Sequence, residues 1–242
     1  MLETLVALLL AHALTDFVFQ TSRMVREKEA GRWGSLTLHA IVAAVTTAVA
    51  IGAFSVTALW AVLVVASTHL LIDWGKARFR RTAGTFLVDQ ALHLTVLVAV
   101  AALWPGLWVE GFLGGIEWLP AVMAVAAGLV LTVRAGGFAV GILMEPWKEI
   151  GAAGLVGAGR TIGELERFLI FLLALTGELG AIGFLIAAKS VLRFNTVREG
   201  RKLSEYVIVG TLSSFAWALF VSIAVIGILE ALPSSGIPFL SR

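Results

Sequence analysis

The sequence predicts an all-α, polytopic membrane protein with about seven apolar helical segments. Hydrophobic residues make up 59% of its 242 residues and charged residues only 14%, against roughly 25% charged residues in a soluble domain. The mean hydropathy is +0.96. The apolar runs approach the roughly 20 residues that a helix needs to cross a bilayer, and they lack the polar alternation of barrel strands.

The first predicted domain, residues 1–104, is a four-helix membrane domain. We expect its helices over 2–20, 36–54, 57–75 and 86–104. The last of these ends at Trp104-Pro105-Gly106, because proline does not continue a helix. Basic links around 23–32 and 76–81 join helices 1 and 2 and helices 3 and 4. Since basic loops stay in the cytoplasm, both links are predicted inside and the N-terminus outside.

The second predicted domain, residues 105–242, has about three apolar segments. These are 119–144, 161–188 and 204–229. Gly136-Gly137 is a potential interruption of the first segment and Thr176-Gly177 of the second. Seven simple crossings would put the basic residues 189–202 outside, against the positive-inside rule. We therefore expect 161–188 to form a re-entrant hairpin or an interfacial helix, which is tolerated where protein buries it.

Residues 12–93 contain every histidine and every aspartate of the chain. Three pairs lie four residues apart, which places both side chains on one helix face. Helices 1 and 3 run inward and helices 2 and 4 run outward, so all seven residues are predicted at the cytoplasmic half of the bilayer. Ionisable residues in membrane segments are costly and indicate a functional site. The seven are His12, Asp16, His39, His69, Asp73, Asp89 and His93.

This residue set favours a divalent-metal site. The chain has no cysteine, so a metal must use imidazole, carboxylate, carbonyl or water as ligands. Imidazole with carboxylate suits zinc first, with manganese and iron as alternatives. All seven residues are candidate ligands, and the three aspartates are also candidates for catalytic proton transfer. Gln20 and Gln90 are expected to hydrogen-bond to the ligands. Seven groups suffice for a two-metal site, an arrangement common in phosphoester hydrolysis.

Several motifs resemble a family of bacterial integral membrane proteins catalogued as domain of unknown function 3307. In the first half they are His12-x3-Asp16-x3-Gln20, the histidine opening helix 2, His69-Leu-Leu-Ile-Asp73 and Asp89-Gln90-x2-His93. In the second half they include Gly159-Arg160-x2-Gly163-x-Leu165-Glu166-Arg167 and Glu205-Tyr206-x3-Gly210-Thr211. The resemblance implies a multi-pass protein of the bacterial inner (cytoplasmic) membrane and brings no established activity. A more distant similarity, to inner-membrane metal-dependent hydrolases, implies a hydrolase.

Three functions are compatible with these observations. The first is an intramembrane metal-dependent hydrolase that acts on an amphipathic, phosphate-bearing lipid from the cytoplasmic leaflet. The second is a divalent-metal or proton transporter or channel that uses the same cluster as a relay. The third is a non-catalytic membrane scaffold in which the cluster only joins helices. We expect membrane lipid and a lipid-like substrate as partners and no nucleic acid; the sequence does not fix the oligomeric state.

Overall fold

The computed structural model describes residues 1–150, 157–192 and 201–233, and within these ranges the chain forms helices and no strand, as predicted. A π-helical turn, Leu131–Ala135, separates α7 from α8, and a 3₁₀ turn, Glu145–Trp147, follows α8. The α-helices are α1 (Leu2–Phe17), α2 (Ser22–Glu29), α3 (Trp33–Ile51), α4 (Val56–Lys76), α5 (Ala83–Leu103), α6 (Leu107–Glu110), α7 (Leu119–Val130), α8 (Gly136–Met144), α9 (Ala158–Leu175), α10 (Leu179–Leu192) and α11 (Arg201–Ala231).

Five described stretches are long and apolar enough to cross a membrane. They are α3, α4, α5, the run Leu119–Trp147, and α11. The 16 residues of α1 span about 24 Å, which is short of the roughly 30 Å of a bilayer core. A bend of 85° separates α1 from α2, and the two count as a sixth span only if they are taken as one. The protein is therefore a multi-pass helical membrane protein.

Two compact units make up the chain. The first comprises Met1–Val130 with Gly227–Arg242, and the second comprises Leu131–Ile226. The four helices that carry the histidines and aspartates all lie in the first unit. The domain boundary at residue 104 stays a prediction, because compact packing units need not coincide with sequence domains.

In the first unit, α1, α3, α4 and α5 form a four-helix bundle. The helix α1 packs against α3 and α5, and α4 packs against α3 and α5, which closes the ring. One end of the bundle has an apolar core that includes Leu8, Ile51, Val65 and Val100. The buried histidines and aspartates lie at the other end, where α1 and α4 finish and α3 and α5 begin.

Local sequence signals fix helix ends at both ends of the bundle, with Thr21 and Thr82 at the polar end and Gly52 and Ser55 at the opposite end. The hydroxyl of Thr21 accepts a hydrogen bond from the Met24 backbone and starts α2. Thr82 forms a reciprocal capping pair with Thr85 at the start of α5. Ser55 caps α4, and Gly52, with a φ of +61°, ends α3 in the left-handed conformation that glycine adopts without strain.

The first basic link contains a short helix that the sequence did not predict. Residues Ser22–Glu29 form the helix α2, and helix 1 ends at Phe17 instead of residue 20. Helix 2 begins at Trp33, three residues before its predicted start. The link was missed because α2 is only eight residues long and strongly polar, so it has no long apolar stripe. Its buried face consists of Met24 and Lys28, which are four residues apart.

In the second unit, the predicted interruption at Gly136-Gly137 is absent and a π-helical turn takes its place. Leu119–Trp147 is a single 29-residue candidate span that contains this turn. Carbonyl groups freed by the turn accept side-chain hydrogen bonds, as expected for an extra residue in a helix. Leu131 O accepts from Trp217 Nε1 at 2.9 Å, and Val133 O accepts from Arg167 Nη2 at 3.0 Å.

The predicted interruption at Thr176-Gly177 is present. Gly177, with a φ of +79°, separates α9 from α10. The two helices pack on each other, and Lys189 Nζ in α10 lies 2.5 Å from Glu166 Oε2 in α9. Because Glu166 lies 11 residues before Gly177 and Lys189 lies 12 residues after it, their contact shows that α9 and α10 form an antiparallel helical hairpin. The basic segment 189–202 lies partly outside the described residues.

Candidate metal centre

All seven histidines and aspartates meet at the same end of the bundle. The four histidines, Asp73 and Asp89 are buried, each with at most 5% of its surface exposed, and the Asp16 side chain is 8% exposed. The residues come from four helices that alternate in direction, so helical spacing and topology together bring them to one depth. The structure thus places the predicted residues side by side; their roles as ligands or catalytic groups remain a prediction.

Four donor atoms form the centre of this cluster. His39 Nε2 and His69 Nε2 are 3.0 Å apart. Asp16 Oδ1 lies 3.0 Å from the first nitrogen and 3.2 Å from the second. Asp73 Oδ2 lies 3.6 and 3.8 Å from the same two nitrogens. We call these four atoms the central quartet.

Hydrogen bonding alone does not account for the crowding in the central quartet. His39 Nε2 lies about equally close to Asp16 Oδ1, His69 Nε2 and, at 3.1 Å, Gln20 Nε2. An imidazole nitrogen carries either one proton or one lone pair. It therefore forms a hydrogen bond with one of these three partners at a time.

A tetrahedral metal ion accounts for the same distances. Ligand atoms bound at 2.0–2.2 Å in tetrahedral geometry are separated by about 3.3–3.6 Å. The five distances given above for the central quartet run from 3.0 to 3.8 Å and bracket that value. Two imidazoles and two carboxylates are also a donor set that zinc accepts. One feature departs from the usual pattern: His39 Nδ1 is buried without a described partner, whereas ligand histidines generally donate from that nitrogen.

The side chains of α5 form a second group beside the quartet. Asp89 Oδ2 accepts hydrogen bonds from Lys76 Nζ at 2.5 Å and Gln90 Nε2 at 3.1 Å. His93 Nδ1 lies 2.9 Å from the Asp89 carbonyl oxygen. No described group hydrogen-bonds to Asp89 Oδ1 or His93 Nε2, although both atoms are buried. Asp73, Asp89 and His93 each place one candidate ligand atom within 4.8 Å of the others.

His12 and the two glutamines link these groups. His12 Nε2 lies 3.2 Å from Gln90 Oε1, and the His12 ring stacks on His93 with centroids 5.0 Å apart. Gln90 Nε2 also reaches Asp16 Oδ2 at 3.3 Å. Gln20 follows α1 and contacts His39, as described above. Both glutamines therefore lie where the sequence predicts hydrogen-bonding partners of the ligands.

Two lysines of the basic links, which the sequence did not predict as site residues, belong to the site. Lys28 Nζ in α2 lies 2.6 Å from Asp73 Oδ2, and Lys28 is buried. Lys76, at the end of α4, binds Asp89, and its side chain is 40% exposed. With neutral histidines, three carboxylates against two ammonium groups leave one negative charge in the buried cluster, which favours a bound cation.

A small cavity adjoins the histidines on their apolar side. Its volume holds about one water molecule. The polar residues in its wall are His12, Thr15, Thr47, Thr68, His69 and His93, among aliphatic side chains such as Leu8 and Val65. The cavity is thus a polar space that extends from the cluster into the bundle.

Exposed basic residues surround the same end of the bundle. The guanidinium of Arg78 lies over the Trp74 ring, 3.5 Å from its centroid. Ser35 in α3 donates a hydrogen bond to Glu27 in α2, and this contact together with Arg23 holds the pKa of Glu27 below its usual value. The exposed basic residues, which we call the basic rim, are Arg23, Arg26, Arg32, Arg78, Arg80 and Arg81.

Fold and site together define a polytopic helical membrane protein with a buried histidine–aspartate cluster. Residues 4–110 match the model of a family described as Protein of unknown function (DUF3307). The match confirms the resemblance seen in the first half of the sequence and covers every residue of the cluster. The motifs at 159–211 lie outside the matched range. No curated protein and no solved structure matches the chain.

Proposed function

We propose that the protein is an intramembrane metal-dependent hydrolase that acts on an amphipathic, phosphate-bearing lipid from the cytoplasmic leaflet. The observation that carries this proposal is the central quartet. The five distances given for its four donor atoms lie around those expected between ligands of a tetrahedral ion, and the four residues come from three different helices.

Zinc is the metal that this donor set fits best, with manganese and iron as alternatives. His39, His69, Asp16 and Asp73 would hold it. A bound divalent ion supplies a water molecule of lowered pKa and neutralises negative charge that develops during reaction. Hydrolysis joins the water oxygen to phosphorus, breaks the phosphorus–oxygen bond to the lipid alcohol and transfers a water proton to that alcohol. An aspartate of the cluster is the candidate carrier of this proton.

The charge around the site supports a phosphate-bearing substrate. Lys76 is part-exposed and holds Asp89, so its ammonium group lies between the solvent-facing edge and the buried cluster. The basic rim adds exposed guanidinium groups, whose forked donors suit phosphate oxygens. A lipid lying in the bilayer would keep its chains among the exposed apolar side chains of the helices and present its phosphate to this end.

The same arrangement supports a location in the inner membrane with the N-terminus outside. Both basic links lie at the cluster end of the bundle, which the positive-inside rule assigns to the cytoplasm. The hairpin over 158–192 also supports a topology that agrees with the positive-inside rule. If the hairpin returns to the side from which it enters, the basic residues after it remain cytoplasmic.

Phosphate release from purified protein tests the proposed function. The protein in nanodiscs is loaded with Zn²⁺ and given phosphatidic acid or phosphorylated isoprenoid alcohols. We expect release that a chelator abolishes and Zn²⁺ restores, and that falls at least about 100-fold in Asp16→Asn and His39→Gln. Glu117→Gln, which changes an exposed carboxylate in the same unit, is the matched control. Unchanged release in metal-free protein or in both site variants would contradict the proposal.

One observation favours a second candidate function, a divalent-metal or proton transporter. The cavity beside the histidines is lined by three threonines and extends the polar region into the bundle, as a relay would require. Proteoliposomes separate the two functions. Flux of Zn²⁺ or protons without phosphate release, lost in His93→Gln, would favour transport over hydrolysis.

A further inference from the structure

We infer that α5 completes a second divalent-cation site, formed by Asp89 and His93 with Asp73 shared between the two metals. The inference deepens the proposed function and rests on the metal proposed for the central quartet. Asp73, Asp89 and His93 bring one candidate ligand atom each within 4.8 Å of one another, and all three are buried.

Two buried acceptor atoms carry the inference. Asp89 Oδ1 and His93 Nε2 have no hydrogen-bond partner among the described residues. An unsatisfied buried acceptor costs about 1–3 kcal/mol, and more when it is charged, so such groups generally have an unseen partner. Both atoms are of the kinds that bind zinc or manganese.

The surroundings hold these two acceptors in place. Lys76 and Gln90 bind Oδ2 of Asp89 and leave Oδ1 unbound. His93 Nδ1 lies 2.9 Å from the Asp89 carbonyl oxygen. Since a carbonyl only accepts, Nδ1 carries the proton and Nε2 keeps its lone pair. A histidine whose other nitrogen donates to a backbone carbonyl is a common form of metal ligand.

Asp73 connects this group to the central quartet. Its Oδ2 lies 3.6 Å from His39 Nε2, and the residue also belongs to the Asp89–His93 group. A carboxylate shared in this way is consistent with two metals about 3.5–4 Å apart, the separation found in enzymes that hydrolyse phosphoesters. Lys28 also binds Asp73 Oδ2, so metal loading is expected to move its ammonium group.

Charge balance defines the substrate of such a site. Two dications and two lysines carry six positive charges, and the three aspartates carry three negative charges. One bound hydroxide and one phosphate dianion would neutralise the remainder. A two-metal cluster therefore suits a phosphate monoester, and anion binding and binding of the second metal should strengthen each other.

Metal stoichiometry of the full chain in nanodiscs tests this inference. After loading with Zn²⁺ or Mn²⁺ and removal of free metal, elemental mass spectrometry should find about two equivalents in the wild type. Asp89→Asn and His93→Gln should retain about one, whereas Glu117→Gln should retain two. Inorganic phosphate should raise the affinity for the second equivalent in the wild type and leave the variants unchanged.

A spectroscopic readout on the wild type keeps the test independent of how the variants fold. Two Mn²⁺ ions that share Asp73 should give an exchange-coupled electron paramagnetic resonance spectrum. A metal content of one equivalent in the wild type and in both variants would contradict the second site but would remain consistent with a metal at the central quartet. Two uncoupled ions in the wild type would contradict the proposed location of the second site. Retention of two equivalents in Asp89→Asn and His93→Gln would also contradict it. No metal in the wild type would overturn both sites.

Discussion

His39 and His69 bring their Nε2 atoms within 3.0 Å of each other across the α3–α4 interface. Two neutral imidazoles at that distance share one hydrogen bond at most. Asp16 Oδ1 also lies within 3.2 Å of both nitrogens. If both nitrogens donate a proton to this oxygen, they cannot hydrogen-bond to each other. A metal ion bound among them would satisfy all three at once, and the predictions below follow from this relationship.

Lys28→Met should destabilise the metal-free protein. Lys28 forms a buried ion pair with Asp73, and removing one partner of such a pair typically costs about 3–5 kcal/mol. Bound Zn²⁺ would neutralise the negative charge of the Asp73 carboxylate in place of the lysine. Thermal unfolding should therefore show a large loss of Tm without metal and recovery of most of it with Zn²⁺. A loss of the same size with and without Zn²⁺ would argue against metal at Asp73.

Lys76→Met should mainly weaken substrate binding. The Lys76 side chain is 40% exposed but Asp89 is only 2% exposed, so solvent screens the pair in part and the loss of stability should be smaller than for Lys28→Met. If the lysine also contacts the substrate phosphate, KM for a phosphate-bearing lipid should rise about tenfold or more. Steady-state kinetics check this, with Lys148→Met, an exposed lysine of the second unit, as control.

Trp217→Phe should destabilise the second unit. The indole donates to Leu131 O in the π-helical turn, and phenylalanine would leave that carbonyl without this donor, at a cost of about 1–3 kcal/mol. Trp60→Phe is a suitable comparison, because Trp60 is 60% exposed on α4. Chemical or thermal unfolding should show a clear loss for the first variant and little change for the second. Equal effects would show that the π-turn contact contributes nothing specific.

Single introduced cysteines should report the proposed topology without background, since the chain has none of its own. Arg80 and Glu117 are both exposed and lie on either side of α5. A membrane-impermeant maleimide should label Glu117→Cys in intact spheroplasts and Arg80→Cys only in inverted vesicles. The reverse labelling pattern would contradict this topology, because it would put the N-terminus in the cytoplasm and the basic rim outside.

The location of the cluster was predictable from the sequence because two simple regularities determine it. Spacing of four residues places His12 with Asp16 and His69 with Asp73 on single helix faces. Alternating helix direction then brings the starts of α3 and α5 to the same depth as the ends of α1 and α4. Neither step needs knowledge of side-chain packing.

The parts that depend on tertiary packing were not predictable. Lys28 enters the site because the short helix α2 folds back over it, and only the four-residue spacing of Met24 and Lys28 hinted at a buried face. The π-helical turn depends on donors from Trp217 and Arg167, which lie far away in sequence. Which aspartate oxygen faces inward, as at Asp89, likewise depends on contacts from other residues.

Metal content tests the central claim most directly. Wild-type protein, purified without chelators, should contain about one or two equivalents of zinc, manganese or iron by elemental mass spectrometry. The double variant His69→Ala, Asp73→Ala removes one imidazole and one carboxylate of the central quartet and should contain almost none. Absence of metal from a folded wild type, or equal content in both proteins, would contradict the metal centre and the hydrolase proposed from it.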